Sequence, residues 1–422
     1  MRVLFAVSVG LVCLVTHPVG AQVHESVLAE VRSQQIPLID TMRELVSIES
    51  GSRDFDGLSR IAEVIADRLR TLGGDVEYVD PADIYPMQDT PAEIGRTVLA
   101  RFRGTGTRRI LLLAHMDTVY LKGMLAEQPF RIEEDRAYGL GIADDKHGIA
   151  IILHAIATLN ALEFTDYGLI TVLINADEEV SSPGSRSLIT ALGREHDVVF
   201  SCEGGGRDRV RLTTAGVGAF KLTVRGRASH AGSAPEQGRN ALYELAHQIM
   251  QTRDLSEPAT GLKMNWTLAA AGNTRNVIPS EAQATADVRA LSMAGFDRIE
   301  ADVRQRVTRR LIEGTELDLI FERRRPPLEA TDVSRALARH AQRVYLELGL
   351  ELTVNEEASG GGTDAAFAAL ETTAPVIEGM GLQSVGAHSN DAEYVELGSI
   401  EPRLYLLTRL IMDTAQGQAG VR

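Results

Sequence analysis

The chain has 422 residues, of which 44% are hydrophobic and 24% are charged, a composition typical of a globular protein long enough for two domains. Its formal net charge of −15 opposes binding to nucleic acid or to an anionic membrane surface, because both partners are themselves negative. We therefore expect no nucleic-acid partner and no membrane partner. A local basic pocket could still accept an acidic small molecule.

The first 21 residues differ from the rest of the chain. Arg2 precedes an apolar run over 3–15, and Val19-Gly20-Ala21 follows as a small-residue cleavage signal. This pattern predicts a secretory signal peptide, too short to be a stable membrane anchor. Its removal would leave Cys202 as the one cysteine, so no internal disulfide could form. We expect a periplasmic or secreted protein.

Strands and helices alternate along most of the chain, beginning with one helix over 25–45. Strands are predicted at 76–79, 97–102, 109–115, 168–175 and 197–202, and helices at 56–72, 147–160, 185–192, 332–348, 360–370 and 401–414. This alternation predicts an α/β fold with a mixed, mostly parallel sheet and flanking helices.

The pattern changes near Gly216. The predicted elements are then a strand at 220–226, a helix at 240–252, strands at 263–270 and 281–290, a helix at 296–313 and a strand at 316–323. The order β-α-β-β-α-β is that of an α+β ferredoxin-like unit. We therefore predict a larger domain of residues 22–215 and 328–422, interrupted by an inserted domain of residues 216–327.

Several residues that can bind metals follow predicted strands. His115 and Asp117 lie two positions apart, so they project from one face at the carboxyl end of a strand, where open α/β sheets bind ligands. The candidate ligands are His115, Asp144, Glu179, Glu203 and His388. Two histidines and three carboxylates suit a pair of zinc ions, and one carboxylate commonly bridges such a pair. Gly141 and Gly148 leave room around Asp144, so we expect Asp144 to be the bridge.

Glu178 and Glu179 are adjacent, and they cannot share one role. Where a strand ends in a turn, neighbouring side chains diverge, so one can bind metal while the other acts as general base. The alternative is a solvated turn, but the apolar strand directly before them favours a functional site. His147 could be an additional ligand, although a surface position at a helix start is the preferred interpretation. Cys202 should face away from Glu203, into the core.

The sequence resembles the M20 metallopeptidases. The motifs that carry the resemblance are His115-Met-Asp117-Thr-Val119, Gly139-Leu-Gly-Ile-Ala-Asp144-Asp-Lys146, Asp177-Glu178-Glu179 and Gly386-Ala-His388-Ser389. Within that family, the segments 116–123, 226–232 and 360–366 are similar to glutamate carboxypeptidases of the glucarpidase type. The resemblance implies a metallo-carboxypeptidase with two zinc ions per subunit, which hydrolyses the amide bond to a C-terminal amino acid, with glutamate expected.

The resemblance also implies roles for single residues. The five candidate ligands would bind the two zinc ions, Glu178 would be the general base, and Asp117 would support His115. His230 resembles the histidine of the inserted domain that reaches into the partner subunit's site and stabilises the oxyanion. A homodimer formed through the inserted domain is therefore expected.

Further residues would contact the substrate. By the same resemblance Arg289 would bind the α-carboxylate, a task that suits a guanidinium group, and Asn276 would face the substrate. Arg325 could meet a side-chain carboxylate of the substrate, together with one of the three arginines Arg207, Arg209 and Arg211. Of these three, Arg209 is the one that we include among the predicted substrate-binding residues. The alternative for them is a solvated run of charge. Gly361 and Thr363 would offer polar groups beside the metals.

Other functions remain open at this point. Gly204-Gly205-Gly206 replaces a proline and small polar residues usual in the glucarpidase type, in a loop expected to shape the leaving-group pocket. An aminoacylase or dipeptidase of the same family, acting on neutral amino acids, is therefore the first alternative. A non-catalytic periplasmic protein that binds zinc or amino acids is the second.

Overall fold

The computed structural model describes residues 23–206, 208–358, 360–389 and 392–420. The signal peptide expected over 1–21 lies outside these residues and stays a prediction. The strands are β1 Asp75–Val79, β2 Thr97–Arg103, β3 Arg109–His115, β4 Arg131–Glu133, β5 Arg136–Tyr138, β6 Leu169–Asn175, β7 Val198–Ser201, β8 Arg209–Arg211, β9 Gly216–Arg225, β10 Lys263–Ala271, β11 Glu281–Ala290, β12 Glu316–Arg325, β13 Thr353–Asn355, β14 Val376–Ile377, β15 Ser384–Val385 and β16 Tyr394–Glu396. The α-helices are α1 Glu25–Ser33, α2 Gln35–Val46, α3 Phe55–Thr71, α4 His147–Ala161, α5 Arg186–Glu195, α6 Ala241–Thr252, α7 Met293–Arg306, α8 Asp332–Glu347, α9 Ala365–Ala369 and α10 Ile400–Ala415.

The larger sheet has six strands in the order β1-β2-β6-β3-β7-β14. Strands β6, β3, β7 and β14 run parallel, whereas β2 is antiparallel to both β1 and β6. The α/β fold with a mixed, mostly parallel sheet is therefore confirmed. Strand β3 lies inside the sheet, with a parallel neighbour on each side.

The position of β3 explains its unbroken apolar run. Ile110 and Leu112 join a core cluster built with α1–α4, α8 and α10, while Leu111 and Leu113 join a second cluster with α5 and α9. All four side chains are almost fully removed from water. Each such burial contributes about 1.5–3 kcal/mol relative to exposure, so both faces of the strand must be apolar.

The first helical segment differs from the prediction. Instead of one helix over 25–45, α1 ends at Ser33 and α2 begins at Gln35, with Gln34 between them. Pro37 accounts for this interruption, because it has no N–H to donate to the carbonyl of Ser33 and its ring crowds that carbonyl. Proline is tolerated only in the first turn of a helix, and α2 begins accordingly.

A second sheet has four antiparallel strands in the order β10-β11-β9-β12. Helices α6 and α7 supply residues to its two core clusters, and the rings of Phe220 and Phe321 stack with centroids 4.3 Å apart. This strand order is that of the expected α+β ferredoxin-like unit. The chain enters and leaves it side by side, since Thr214 and Leu328 form an antiparallel bridge. The domain boundaries and the role in dimerisation stay predictions.

Two short sheets were not foreseen from the sequence. One has the order β15-β16-β5-β4, and the other pairs β13 with β8 in parallel. Their strands have two or three residues each, too few for a periodic pattern to be recognised. Within the described residues, no helix is both long enough and apolar enough to cross a membrane.

A buried arginine holds the loops that lead to the site. Arg403 of α10 is fully buried, and its guanidinium donates to the carbonyls of Gly381 at 2.7 Å, Arg209 at 3.2 Å and Gly379. Burial lowers its pKa. These hydrogen bonds join the segment after β14 to β8, so the chain that continues to His388 starts from a fixed point.

Candidate active site

The five predicted ligands meet at one edge of the larger sheet. His115 ends β3, Glu179 lies in a one-turn 3-10 helix after β6, and Glu203 follows β7. Because these strands are parallel neighbours, their carboxyl ends lie at the same edge. Asp144 comes from the turn before α4, and His388 from the loop after β15. The structure thus brings together residues that are up to 273 positions apart in the sequence, as 388 minus 115 gives.

Asp144 lies between the two histidines. Its Oδ1 is 2.9 Å from His115 Nε2, and its Oδ2 is 3.1 Å from His388 Nε2. His115 Nε2 is also 3.5 Å from Glu203, and His388 Nε2 is 3.2 Å from Glu179. One carboxylate therefore directs an oxygen toward each histidine, which is the arrangement expected of a bridging ligand.

The donor atoms fit two metal ions. They form the groups His115, Glu178, Glu203 and Asp144, Glu179, His388, and within each group the ligand atoms lie within 4.8 Å of one another. Glu179 Oε1 is buried and has no hydrogen-bond partner among the described residues. Imidazole nitrogen and carboxylate oxygen are donors that suit zinc and related divalent ions. The geometry supports a centre for two metal ions.

The electrostatics point the same way. Burial raises the pKa of Glu179 to about 7, and it raises the pKa of Glu178 well above the usual range although Arg325 opposes the shift. Burial also disfavours ionised Asp144, but hydrogen bonds from His115 and His388 outweigh it and lower the pKa of that carboxyl. Hydrogen bonds to Asp144 and Glu179 raise the pKa of His388 to about 10. A site that gathers so many buried carboxylates is suited to divalent cations.

Asp117 supports both the first ligand and the Glu178-Glu179 turn. Its fully buried carboxylate accepts hydrogen bonds from the backbone N–H groups of Glu178 at 3.0 Å and Glu179 at 3.1 Å, and from the hydroxyl of Ser52 at 2.8 Å. His115 Nδ1 is 3.0 Å from the Asp117 carbonyl oxygen and 3.4 Å from its carboxylate. A contact of this kind orients a metal-binding imidazole and selects its tautomer.

Arg325 lies beside Glu178 and also lines the cavity next to the ligand groups. Its guanidinium lies 2.5 Å from the carboxylate of Glu178 and 3.3 Å from that of Asp364, and all three side chains are buried. Its contact with a side-chain carboxylate of the substrate stays a prediction. Arg325 also holds Glu178, and this contact depends on how the end of β12 meets the larger sheet.

A cavity of about 510 Å3 lies beside the ligand groups. Its lining includes the ligands Asp144, Glu179, Glu203 and His388, the arginines Arg211, Arg289, Arg324 and Arg325, and Gly361, Gly362 and Thr363. Gly361, Thr363 and Arg289, which the sequence analysis assigns to the substrate, thus lie beside the ligand groups. Arg289 donates to the carbonyl of Gly360 at 2.7 Å and pairs with Asp287 at 2.9 Å.

Arg209 is not part of this lining, which corrects the prediction. It is exposed on β8, whereas Arg211, two positions later on the same strand, is partly buried and lines the cavity. Arg207 lies outside the described residues. The sequence places all three in one basic run, and only the path of β8 distinguishes them.

His230 and Asn276 lie away from the cavity of their own chain. Both are exposed, and the described residues that line the cavity include neither of them. Ala231 N donates to the Asn276 carbonyl at 2.9 Å, so the two segments are joined. His230 Nδ1 accepts from the N–H groups of Gly232 and Ser233, both at 3.1 Å. When neutral, this imidazole therefore carries its proton on Nε2, which can donate to a ligand.

Two further residues support the site without having been predicted. Glu393 accepts from Gly141 N at 3.1 Å and Ala143 N at 2.7 Å, and so holds the turn that carries Asp144. Asp364 accepts from Asn175 at 2.7 Å and pairs with Arg325. Asp364 lies within the segment 360–366 that carries part of the resemblance, but its contacts, like those of Glu393, cross more than 30 positions of sequence and are not visible in any local pattern.

The surface position expected for His147 is wrong. Its side chain is fully buried, neither ring nitrogen has a hydrogen-bond partner among the described residues, and burial lowers its pKa to about 4. Its Nδ1 is 3.6 Å from Asp145. The apolar run 149–153 directly after it indicates that α4 is buried from its first turn. Cys202 is buried as a free thiol, as predicted.

Comparisons with known proteins agree with this geometry. The model of peptidase family M20/M25/M40 matches residues 111–413. Carboxypeptidase G2 of Pseudomonas sp. (strain RS-16) is 40% identical over 401 residues, which cover 94% of each chain. Among solved structures, aminopeptidase PepT from Bacillus cereus has a TM-score of 0.71 at 21% identity, covering 90% of this chain and 99% of its own. The M20 metallo-carboxypeptidase Sso-CP2 from Sulfolobus solfataricus has a TM-score of 0.70 at 16% identity, covering 89% and 98%.

An α/β sheet with two adjoining groups of metal ligands at its edge defines a metal-dependent hydrolase. The chain belongs to peptidase family M20/M25/M40, and it is a metallo-carboxypeptidase. None of the relatives named above supports the alternative of a non-catalytic binding protein.

Substitution of Asp117 by Asn should weaken metal binding about 10–100-fold, because one carboxylate oxygen becomes an amide NH2 facing backbone N–H groups. Metal affinity would be measured by calorimetric titration of the metal-free protein. Ser52→Ala removes only one hydrogen bond to the same carboxylate and should cost less. Equal affinities for wild type and Asp117→Asn would contradict the supporting role of Asp117.

Proposed function

We propose that this carboxypeptidase binds two zinc ions per subunit and removes a C-terminal glutamate from an acyl group, as in folate-type or N-acyl-glutamate substrates. The observation that carries the proposal is the set of arginines beside the ligand groups, in a chain whose net charge is −15. A C-terminal glutamate has two carboxylates, and guanidinium groups bind carboxylates in a bidentate manner. The 40% identity to carboxypeptidase G2 supports the same substrate class.

The proposed mechanism assigns the proton transfers to Glu178. Zinc ions held by the five predicted ligands would polarise the scissile carbonyl and lower the pKa of a water molecule. Glu178 takes the proton of the attacking water on its carboxylate and later donates it to the nitrogen of the leaving amino acid. Arg325 fixes one oxygen of Glu178, and Asp117 fixes the backbone of the turn.

The arginines can divide the two carboxylates between them. Arg289 is anchored through Asp287 and the Gly360 carbonyl, and it is proposed to bind the α-carboxylate. Arg324 is already paired with Asp89 at 2.7 Å. Arg211 forms no ion pair in the part of the chain that the structure describes, so it is the guanidinium best able to take the side-chain carboxylate.

Replacing Glu178 by Gln should reduce turnover by a factor of about 10²–10⁴ or more, because the amide cannot accept the proton. The assay is release of glutamate from 4-aminobenzoyl-glutamate, with and without added zinc, and we expect release only in its presence. Metal content, measured by plasma emission spectroscopy, should stay near that of the wild type. Substantial turnover by the zinc-loaded variant would remove Glu178 from the mechanism.

Specificity for glutamate can be tested with two arginines of the same strand. Arg211→Met should lower kcat/KM for a C-terminal glutamate by about 10–100-fold, the effect of losing a charge-assisted pair of about 1.5–3 kcal/mol. A matched neutral substrate, ending in glutamine, should be affected much less. Arg209→Met is the control, since its side chain lies outside the cavity. If the wild type prefers neutral residues, the aminoacylase or dipeptidase alternative replaces the proposal.

We further propose a homodimer in which His230 completes the partner's site. Its Nε2 can donate a hydrogen bond, yet it lies outside the cavity of its own chain. The edge strand β10 of the same sheet exposes 66% of Leu268, so the inserted unit has an apolar surface that a second copy can cover.

A mixing experiment tests this arrangement. Co-expressed His230→Ala and Glu178→Gln chains should regain about one quarter of wild-type activity, because half the dimers are mixed and each mixed dimer has one intact site. Each variant alone should be nearly inactive. A mixture with no more activity than its components would show that His230 acts within its own chain or not at all.

Export to the periplasm or the medium is proposed from the N-terminal segment. Arg2, the apolar run and Val19-Gly20-Ala21 support it.

A further inference from the structure

Arg186, the first residue of α5, joins two segments that are distant in the sequence. Its Nε donates to the carbonyl of Ser182 at 3.2 Å, and its Nη2 donates to the carbonyl of Ser181. The same guanidinium reaches β12, where Nη1 donates to the carbonyl of Arg323 at 3.3 Å and Nη2 donates to that of Arg324 at 2.9 Å. One side chain therefore connects the turn that follows β6 to the last residues of β12.

A guanidinium group suits this task because its five N–H donors point in fixed directions within one plane. A lysine ammonium has three donors at a single point, so it could not bind carbonyls of both segments at once. The ring centres of Tyr85 and Phe367 lie 4.3 and 4.8 Å from Cζ of Arg186, which are cation–π contacts. Burial lowers the pKa of Arg186 to about 10, which still leaves the side chain protonated at neutral pH. These contacts leave the guanidinium little freedom to move.

The turn needs an external contact of this kind because of its backbone conformation. Ser181 and Ser182 have φ angles of +71° and +51°, in the left-handed region that residues with a Cβ rarely adopt. Such a conformation persists only when the surrounding structure maintains it. The N–H groups of the two serines donate back into the turn, to the carbonyls of Glu178 and Asp177, both at 2.7 Å. Because the serine carbonyls accept from Arg186, this side chain fixes the turn that carries Glu178.

The other end of the connection lies next to Glu178. Arg325 directly follows the two residues of β12 whose carbonyls bind Arg186. The Arg325 guanidinium is 2.5 Å from the carboxylate of Glu178 and 3.3 Å from that of Asp364. Asp364 also accepts from the hydroxyl of Ser182, whose carbonyl binds Arg186. These contacts form a closed loop, so the position of Arg325 relative to Glu178 depends on where Arg186 holds β12.

We propose that Arg186 is a positioning residue, which keeps the carboxylate of Glu178 in its working orientation by fixing Arg325. The inference rests on the proposed function, since it takes Glu178 as the general base. The described residues that line the cavity beside the ligand groups do not include Arg186, so it acts through other residues rather than on the substrate. A displacement of about 1 Å among catalytic groups can lower a rate about 100-fold, so a distant contact of this kind has a large effect.

Arg186→Lys tests the inference, because it keeps the positive charge and loses the planar set of donors. We expect kcat for glutamate release from 4-aminobenzoyl-glutamate to fall about 10–100-fold, the scale of a small misplacement of catalytic groups. KM should change little, because Arg289 and Arg211 are held by other contacts, on β11 and β8. Metal content, measured by plasma emission spectroscopy, should equal that of the wild type.

Arg194→Lys is the matched control. Arg194 belongs to the same helix, but it is exposed and pairs with Glu371 at 2.9 Å, so this variant should keep the wild-type kcat. A double variant separates positioning from general stabilisation. When Arg325→Lys has already broken the contact with Glu178, adding Arg186→Lys should lower kcat little further, because coupled residues do not have additive effects.

Three results would overturn the inference. The first is an unchanged kcat in Arg186→Lys, and the second is a change confined to KM. The third is a double variant whose loss equals the full product of the two single losses, since Arg186 would then act independently of Arg325.

If Arg186→Lys does not fold, Tyr85→Phe takes its place. This variant keeps the ring beside Arg186 and removes the hydroxyl that accepts from the N–H of Arg323 at 3.0 Å, so it loosens the same part of β12. A lower kcat at unchanged metal content supports the inference, and a wild-type kcat contradicts it.

Glu178→Gln distinguishes failure of the inference from failure of the proposed function. Substantial turnover by Glu178→Gln would remove the general base on which both depend. An inactive Glu178→Gln together with a wild-type kcat in Arg186→Lys would remove the inference alone. If the wild type hydrolyses only substrates that end in neutral residues, the preference for glutamate fails, and the same comparisons are made on those substrates.

Discussion

The buried carboxylate of Asp117 is the contact on which the rest of the site depends. It accepts hydrogen bonds from the turn that carries Glu178 and Glu179, lies beside His115, and accepts a hydrogen bond from Ser52. A buried carboxylate is costly unless its oxygens are satisfied, so the surrounding donors and the charge stabilise one another. Through this group, strand β3, the turn after β6 and the segment 51–54 have one fixed relative position.

Charge is distributed unevenly around that fixed centre. The chain as a whole is strongly acidic, and the ligand groups add several buried carboxylates. Four arginines line the adjoining cavity beside these carboxylates, at Arg211, Arg289, Arg324 and Arg325. Positive groups able to bind a carboxylate therefore stand directly beside the groups that are able to bind metal ions.

The errors of sequence interpretation have identifiable physical causes. The sequence predicts α1 and α2 as one helix because the helical spacing of apolar residues continues through Gln34. Pro37 interrupts the backbone hydrogen bonds of the helix, and the spacing of apolar side chains does not reveal this effect. His147 is predicted at the surface because it stands at the start of a helix, yet α4 packs into the core from its first residue. Arg209 was expected beside the substrate, but the path of β8 turns Arg211 rather than Arg209 toward the cavity.

The sequence by itself determined the fold class, the family and the identity of the candidate ligands. Apolar runs that end in His115, in Glu178-Glu179 and in Glu203 are local patterns, and their alternation with helices predicts a mostly parallel sheet. The packing of the folded chain alone determines that Arg211 rather than Arg209 lines the cavity, and that Arg325 pairs with Glu178. These are contacts between elements distant in the sequence, and their geometry depends on packing angles and loop paths that no local period encodes.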